Sequence, residues 1–294
     1  MRVVLVAWLL AAACAQTQPP PVAPPAAQPA SQVPPELEAR LARLEKMLAG
    51  REEALEFLDL AYGQQVEQQT KPRPGTVYGV DIEQNLRLGQ VAGSPAALVT
   101  IVEAWDFACP HCYRASSVLK ELLDEYPGKL RVVFKNMVVH PQQVMAAHLA
   151  GCAAAKQGKF KEFYWAFFER GYKEYQDRRD MSFLSEDHVY KIAGDLGLDV
   201  ARLKSDMPSC RQVIEADEAE LRKFKVNGTP AFFVNGEFIG GGIPKEAFKQ
   251  FIDPKLAIAE RSGVPGAEYY EKEIRGKGER SVERSTKRPA KRGP

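Results

Sequence analysis

Cys109 and Cys112 enclose Pro110 and His111 in the stretch AWDFACPHCYRASSV, residues 104–118. Two thiols at this spacing can hold a metal, carry a haem, close an inert staple or exchange electrons with a partner. A zinc site takes four ligands, normally from a second C-x-x-C or a closely spaced pair of histidines. Cys152 and Cys210 are isolated, and His140, His148 and His188 show no ligand spacing, so no metal is expected. A c-type haem needs histidine directly after the second cysteine, and that residue is Tyr113. A staple across so short a gap does little by loop closure. Thiol–disulfide exchange remains, with the Cys109–Cys112 disulfide as the redox group and no further cofactor.

The flanking residues suit exchange. The β-branched run ALVTIVEAW (97–105) predicts a buried strand, and Val118, Leu119, Leu122 and Leu123 share one side of a helix that follows the pair. Cys109 then stands where a helix begins, and unpaired N–H groups and the positive end of the dipole favour its thiolate. Such settings bring a cysteine pKa from about 8.5 to roughly 3.5–7.5. A stabilised thiolate leaves readily, so the disulfide becomes oxidising. Pro110 suits the first helical turn, where its missing N–H costs nothing. His111, cationic or donating a hydrogen bond, stabilises the thiolate further. The exposed Cys109 attacks or is attacked, and Cys112, one turn into the helix and more buried, resolves the mixed disulfide. Glu103, inside the apolar run, is costly there unless it has a role or a partner.

A second strand, LRVVFKN (130–136), completes a βαβ unit with parallel strands and a right-handed crossover. Residues 141–226 read as mainly helical. Strand signal returns in PAFFVNGEFIGG, where Asn235-Gly236 between apolar runs predicts a hairpin. A last amphipathic helix starts near Pro244 and reaches about Arg261.

EAWDFACPHCY, the helical block and VNGTPAFFVNGEFIGG together resemble the DsbA-like branch of the thioredoxin superfamily, over roughly residues 77–262. The resemblance implies an α/β, thioredoxin-like fold with an inserted helical domain at about 141–226. It implies that Pro230 is a cis-proline facing the disulfide, with the backbone of Thr229 pairing with bound peptide. It also makes Glu103 the buried acid that assists proton transfer from Cys112; a strand-end carboxylate in water is the alternative. Some relatives carry a structural disulfide in the helical block, which implies a Cys152–Cys210 bond, two buried free thiols being the other reading. Closing that loop would stabilise the fold by about 4 kcal/mol in the chain-entropy model. Phe160, Phe163, Tyr164, Phe167 and Phe168 read as core, with a substrate groove as the alternative.

The ends differ from this middle. Arg2 and the apolar run from Val3 to Ala13 are too short to span a bilayer, which takes about 20 residues, and read as a secretory signal over residues 1–15. Cleavage after Ala15 and lipidation of Cys14 both fit, and both place the protein in the periplasm or cell envelope. Four cysteines then remain in an oxidising space. Residues 16–35 form a Pro/Ala-rich spacer. In residues 36–65, Leu37, Leu41, Leu44, Leu48, Leu55, Leu58 and Tyr62 alternate steps of four and three, with Arg51 in one core slot. This pattern predicts a self-associating coiled-coil segment or an amphipathic helix folded onto the domain at 70–262. Residues 263–294 read as a basic, disordered tail.

The 294 residues are 45% hydrophobic and 27% charged, a globular balance, and the net charge of +2 favours no particular partner. Nucleic-acid binding is not expected. The partners implied are secreted proteins with unpaired cysteines and a membrane oxidase linked to quinone, or a reducing counterpart. Cys-Pro-His-Cys favours a dithiol oxidase. Thr229 and a self-associating helix resemble oligomeric isomerases and reductases, and a redox-inert tethering module is the third reading.

Overall fold

The computed structural model describes residues 34–282. Cys14, the spacer up to residue 33 and residues 283–294 lie outside the described residues. The chain divides after Leu60 into two units. In the first, α1 (Pro35–Leu48) is followed by α2 (Glu52–Thr70), which carries the chain across the boundary. Gly50, at φ 75°, ends the first helix at the point where the leucine spacing is interrupted. The segment expected over 36–65 is therefore two helices. α1 buries none of its residues, and Leu37, Leu41, Leu44 and Leu48 are 47–55% exposed.

The second unit is built on a five-stranded sheet. A short helix, α3 (Glu83–Leu88), leads into β1 (Val91–Gly93), a three-residue edge strand that carries too little pattern to be read from the sequence. β2 (Val99–Trp105) and β3 (Leu130–Asn136) are buried along their whole length. The spatial order is β1-β3-β2-β4-β5, with β4 (Ala231–Val234) and β5 (Glu237–Gly240) closing the far edge. β2 and β3 run parallel with α4 (Pro110–Glu125) between them, the expected βαβ unit; the other pairings are antiparallel. Asn235 and Gly236 turn the β4–β5 hairpin at φ 41° and 83°. A Cβ at Gly236 would stand 2.7 Å from the Tyr78 carbonyl oxygen, so glycine is required there on space as well as on φ.

The helical block comprises α5 (Pro141–Ala155), α6 (Phe160–Phe167), α7 (Lys173–Arg178), α8 (Glu186–Asp195) and α9 (Val200–Lys223). A π-helical turn at Phe168–Tyr172 joins α6 to α7. Cys152 in α5 and Cys210 in α9 form a disulfide. Phe160, Phe163, Tyr164, Phe167 and Phe168 are all buried in the core.

Alternation along the strands builds a core on each face. Val99, Ile101, Trp105, Val132 and Phe134 pack with α4 and the helical block. Val102, Ala104, Val133 and Phe233 pack with a second cluster that includes Tyr78, Val80 and Ile82. α10 (Lys245–Ser262) follows the sheet, as expected. The next stretch corrects the tail predicted from residue 263. Gly266–Tyr269 forms α11, Tyr270–Arg275 continues as a π-helix, and Tyr269, Tyr270, Ile274 and Val282 are buried in the second cluster. Four apolar side chains dispersed among charges escape a compositional reading, yet they seal one face of the sheet.

Candidate active site

Cys109 is the N-cap of α4, at φ −84° and ψ 119°, and Pro110 opens the first helical turn. The strand delivers the chain to that point and Asp106 shapes the loop between. Its Oδ1 accepts the Ala108 N–H at 2.7 Å, an Asx turn, while its Oδ2 accepts the N–H groups of Val139 at 2.8 Å and His140 at 3.1 Å. The Cys109 N–H donates to the Asp106 carbonyl at 3.2 Å. Asp106 is completely buried. An aspartate at a strand end ahead of a turn is a signal that the sequence does contain.

The antiparallel register Ala104↔Ala231 carries the residues before Ala231 toward those after Ala104. The Thr229–Pro230 turn thereby meets the Cys109 loop, and its peptide bond is cis. The Cys109 thiol donates to the Thr229 carbonyl oxygen at 3.3 Å.

The two sulfurs are unlike. Both are free thiols; Cys109 is 5% exposed and Cys112 fully buried. Cys109 is thus less open than the sequence suggests, though still the only one of the pair that a reactant can touch. Hydrogen bonding from the Cys112 thiol is the main cause that brings Cys109 down to about 5, against the opposing effect of burial. The backbone N–H groups of Cys112 and His111 add to it, as the start of a helix should. Burial pushes the Cys112 thiol well above its usual range, and the Cys109 sulfur and Glu103 act in the same direction. His111 acts on Cys109 through its backbone N–H, while its ring Nδ1 accepts from Arg114 at 2.8 Å.

Glu103 lies on β2, two residues before Trp105, and is completely buried. The alternative of a strand-end carboxylate in water is thereby removed. The Tyr164 hydroxyl donates to its Oε2 at 2.9 Å, and its Oε1 has no partner among the described residues. Burial raises the Glu103 carboxyl to about 8, although Tyr164 pulls the other way. Glu103 is therefore a neutral acid at pH 7, beside a thiol that resists ionisation. Tyr164 was readable only as core, because nothing in KFKEFYWAFFER pairs it with a residue 61 positions earlier. The π-helical turn after it brings Tyr172 near the site: its hydroxyl is pushed up to about 12, by burial first and by Cys109 next.

Residues 87–254, more than half of the chain, match the thioredoxin family model. The probable disulfide bond formation protein D of Bacillus cereus is 29% identical over 174 residues, which are 57% of this chain and 78% of that protein. The sodium/proton antiporter NhaA of Herminiimonas arsenicoxydans is 31% identical over 156 residues, 52% of this chain but only 23% of the antiporter. The chain thus spans about a quarter of that relative's length. The oxidised BdbD structure from Bacillus subtilis, at 20% identity and a TM-score of 0.50, covers 63% of this chain and is itself covered completely. The chain belongs to the thioredoxin family.

Proposed function

We propose that the protein acts outside the cytoplasm and passes the Cys109–Cys112 disulfide to the cysteines of secreted proteins, as a dithiol oxidase. The observation that carries this reading is the contrast between an N-cap sulfur held as thiolate near neutrality and a buried partner sulfur that resists ionisation. A substrate thiolate attacks Cys109 Sγ, the Cys109–Cys112 bond breaks, and Cys112 leaves with the electron pair. Glu103 supports that step as a neutral buried acid able to supply the proton that Cys112 takes up. A second substrate thiolate then attacks the substrate sulfur of the mixed disulfide. Cys109 leaves as a stabilised thiolate; the pair has gained the substrate's two electrons, Cys112 holds one proton and the other is released to solvent. The half-buried Thr229, whose carbonyl lies 3.3 Å from Cys109 Sγ, supports a role in holding the substrate chain. A quinone-linked membrane oxidase would restore the disulfide.

Arg2, the apolar run after it and Cys14 support export, with or without lipid at Cys14. Among the described residues, no helix is long and apolar enough to cross a membrane. The exposed leucines of α1 favour a second reading, an oligomeric disulfide isomerase or reductase assembled through residues 36–65. The deciding experiment offers the protein a reduced two-cysteine peptide and, separately, a scrambled-disulfide protein, each with and without residues 36–65. Fast peptide oxidation by both forms with no unscrambling supports the oxidase. Unscrambling that depends on residues 36–65 supports the isomerase, and inertness in both assays removes the exchange reading altogether.

A further inference from the structure

His148 lies on α5, completely buried, and stacks on the Trp105 ring with centroids 4.5 Å apart. The Phe107 N–H donates to its Nε2 at 3.3 Å. An N–H group cannot accept, so Nε2 carries no proton and the proton sits on Nδ1, which faces Asn136 Oδ1 at 2.9 Å. The Asn136 amide cannot turn round, because its Nδ2 donates to Asp217 Oδ2 at 2.7 Å. Asp217 is held in turn by the buried Lys135 ammonium at 3.0 Å and by the Asn136 N–H at 3.0 Å. A run of buried polar groups from β3 and α9 therefore dictates which ring nitrogen of His148 is bare. Burial lowers the His148 pKa to about 4, consistent with that neutral ring.

Within the disulfide-exchange reading above, we propose that His148 is a positioning residue of the redox centre. Its Nε2 holds the peptide of Phe107 and so fixes the loop that delivers Cys109 to the start of α4. Asn136, Asp217 and Lys135 serve it by setting its tautomer. Asp106 holds the Ala108 N–H and the carbonyl of Asp106 holds that of Cys109, so His148 supplies the remaining anchor of a three-peptide loop. If that anchor is removed, a buried donor is orphaned and the loop can turn, so the N–H groups that favour the Cys109 thiolate lose their aim.

The test has two arms. Nitrogen-15 NMR of the histidine rings in the unaltered protein reads the tautomer: protonated Nδ1 with bare Nε2 is expected, and a protonated Nε2 overturns the proposal. The redox equilibrium with glutathione is then compared between the protein, His148→Leu, His148→Gln and Ile274→Ala, the last a core truncation on the far face of the sheet. His148→Leu should shift the equilibrium about tenfold toward the disulfide and raise the pH at which the Cys109 thiolate absorbs. His148→Gln, whose amide oxygen can accept from Phe107, should restore most of the difference, and Ile274→Ala should lose stability with no redox shift. An equilibrium for His148→Leu equal to that of the parent, or a shift matched by Ile274→Ala, overturns the proposal. A parent protein that fails to equilibrate with glutathione at all overturns the exchange reading instead, and the tautomer still reports on His148.

Discussion

Two cysteine pairs share one hydrophobic cluster, yet one is a reactive dithiol and the other a closed bond. Cys109, Cys112, Cys152 and Cys210 all belong to the core that α4 and the helical block form against the sheet. Burial alone does not separate them, since Cys112 and Cys210 are equally inaccessible. What differs is the backbone around the sulfur. Cys109 caps a helix and meets N–H groups with no intrahelical partner. Cys152 and Cys210 sit inside α5 and α9, where the N–H groups are already used by the helix. The Cys152–Cys210 bond instead ties two helices through residues 58 positions apart in sequence.

The largest expected effect comes from breaking the reactive pair. Cys109→Ser should bring oxidation of a reduced peptide down to the uncatalysed background, whereas Cys112→Ser, offered a disulfide-bonded peptide, should let Cys109 attack it, release one peptide thiolate and accumulate the mixed disulfide, visible by mass spectrometry. Breaking the closed pair should do the opposite. Cys152→Ala/Cys210→Ala should keep peptide oxidation close to the parent rate while costing about 4 kcal/mol in urea unfolding. Loss of exchange in that double variant, with stability intact, would erase the distinction between the pairs.

Glu103 sharpens the comparison, because it lies beneath the first pair and lowers stability in order to do so. Its carboxyl ionises near 4.5 in an unfolded chain and near 8 in the fold, so the folded state binds the extra proton across that window. Stability therefore falls as pH rises from about 4.5 to 8. Glu103→Gln should raise stability at pH 7 by about 3 kcal/mol, and the gain should fade below pH 4.5. Cys109 has the opposite sign: its folded pKa is depressed to about 5, so the dithiol form gains stability as pH rises from there toward 9. The disulfide form lacks that gain. Urea titrations of the two forms should diverge with rising pH in the parent, and Cys109→Ser, which cannot form the disulfide, should lack the gain of the parent dithiol.

Much of this was legible because neighbouring residues carried it. The β-branched run, the Cys-Pro-His-Cys turn and Asn235-Gly236 each combine a local preference with a short spacing, and they locate β2, the start of α4 and the hairpin. Glu103 stood out because a carboxylate in an apolar strand needs a reason. The residues that escaped reading owe their roles to contacts across the fold. Asp217 and Asn136 are 81 positions apart, and Tyr78 packs edge-on against Phe224 and Phe233 from far along the chain. β1 escaped for a different cause, being three residues long. The segment after residue 263 misled because its charges outnumber the four side chains that decide where it packs.

Tyr164→Phe is the mildest change and the most specific. It removes one hydroxyl from a fully buried ring whose aromatic contacts with Trp105 and Phe134 are unaffected. The lost bond to Glu103 should cost about 1 kcal/mol in urea unfolding. Because the hydroxyl donates to Oε2 and so favours the carboxylate, its removal should raise the Glu103 midpoint above its present value of about 8. A carbon-13 titration of the Glu103 carboxyl reads that directly. The double variant Cys152→Ala/Cys210→Ala should leave the same midpoint in place, since nothing in the closed pair donates to Glu103. A midpoint that moves with the closed pair and not with Tyr164 would mean that the helical block tunes the acid through packing rather than through this one hydrogen bond.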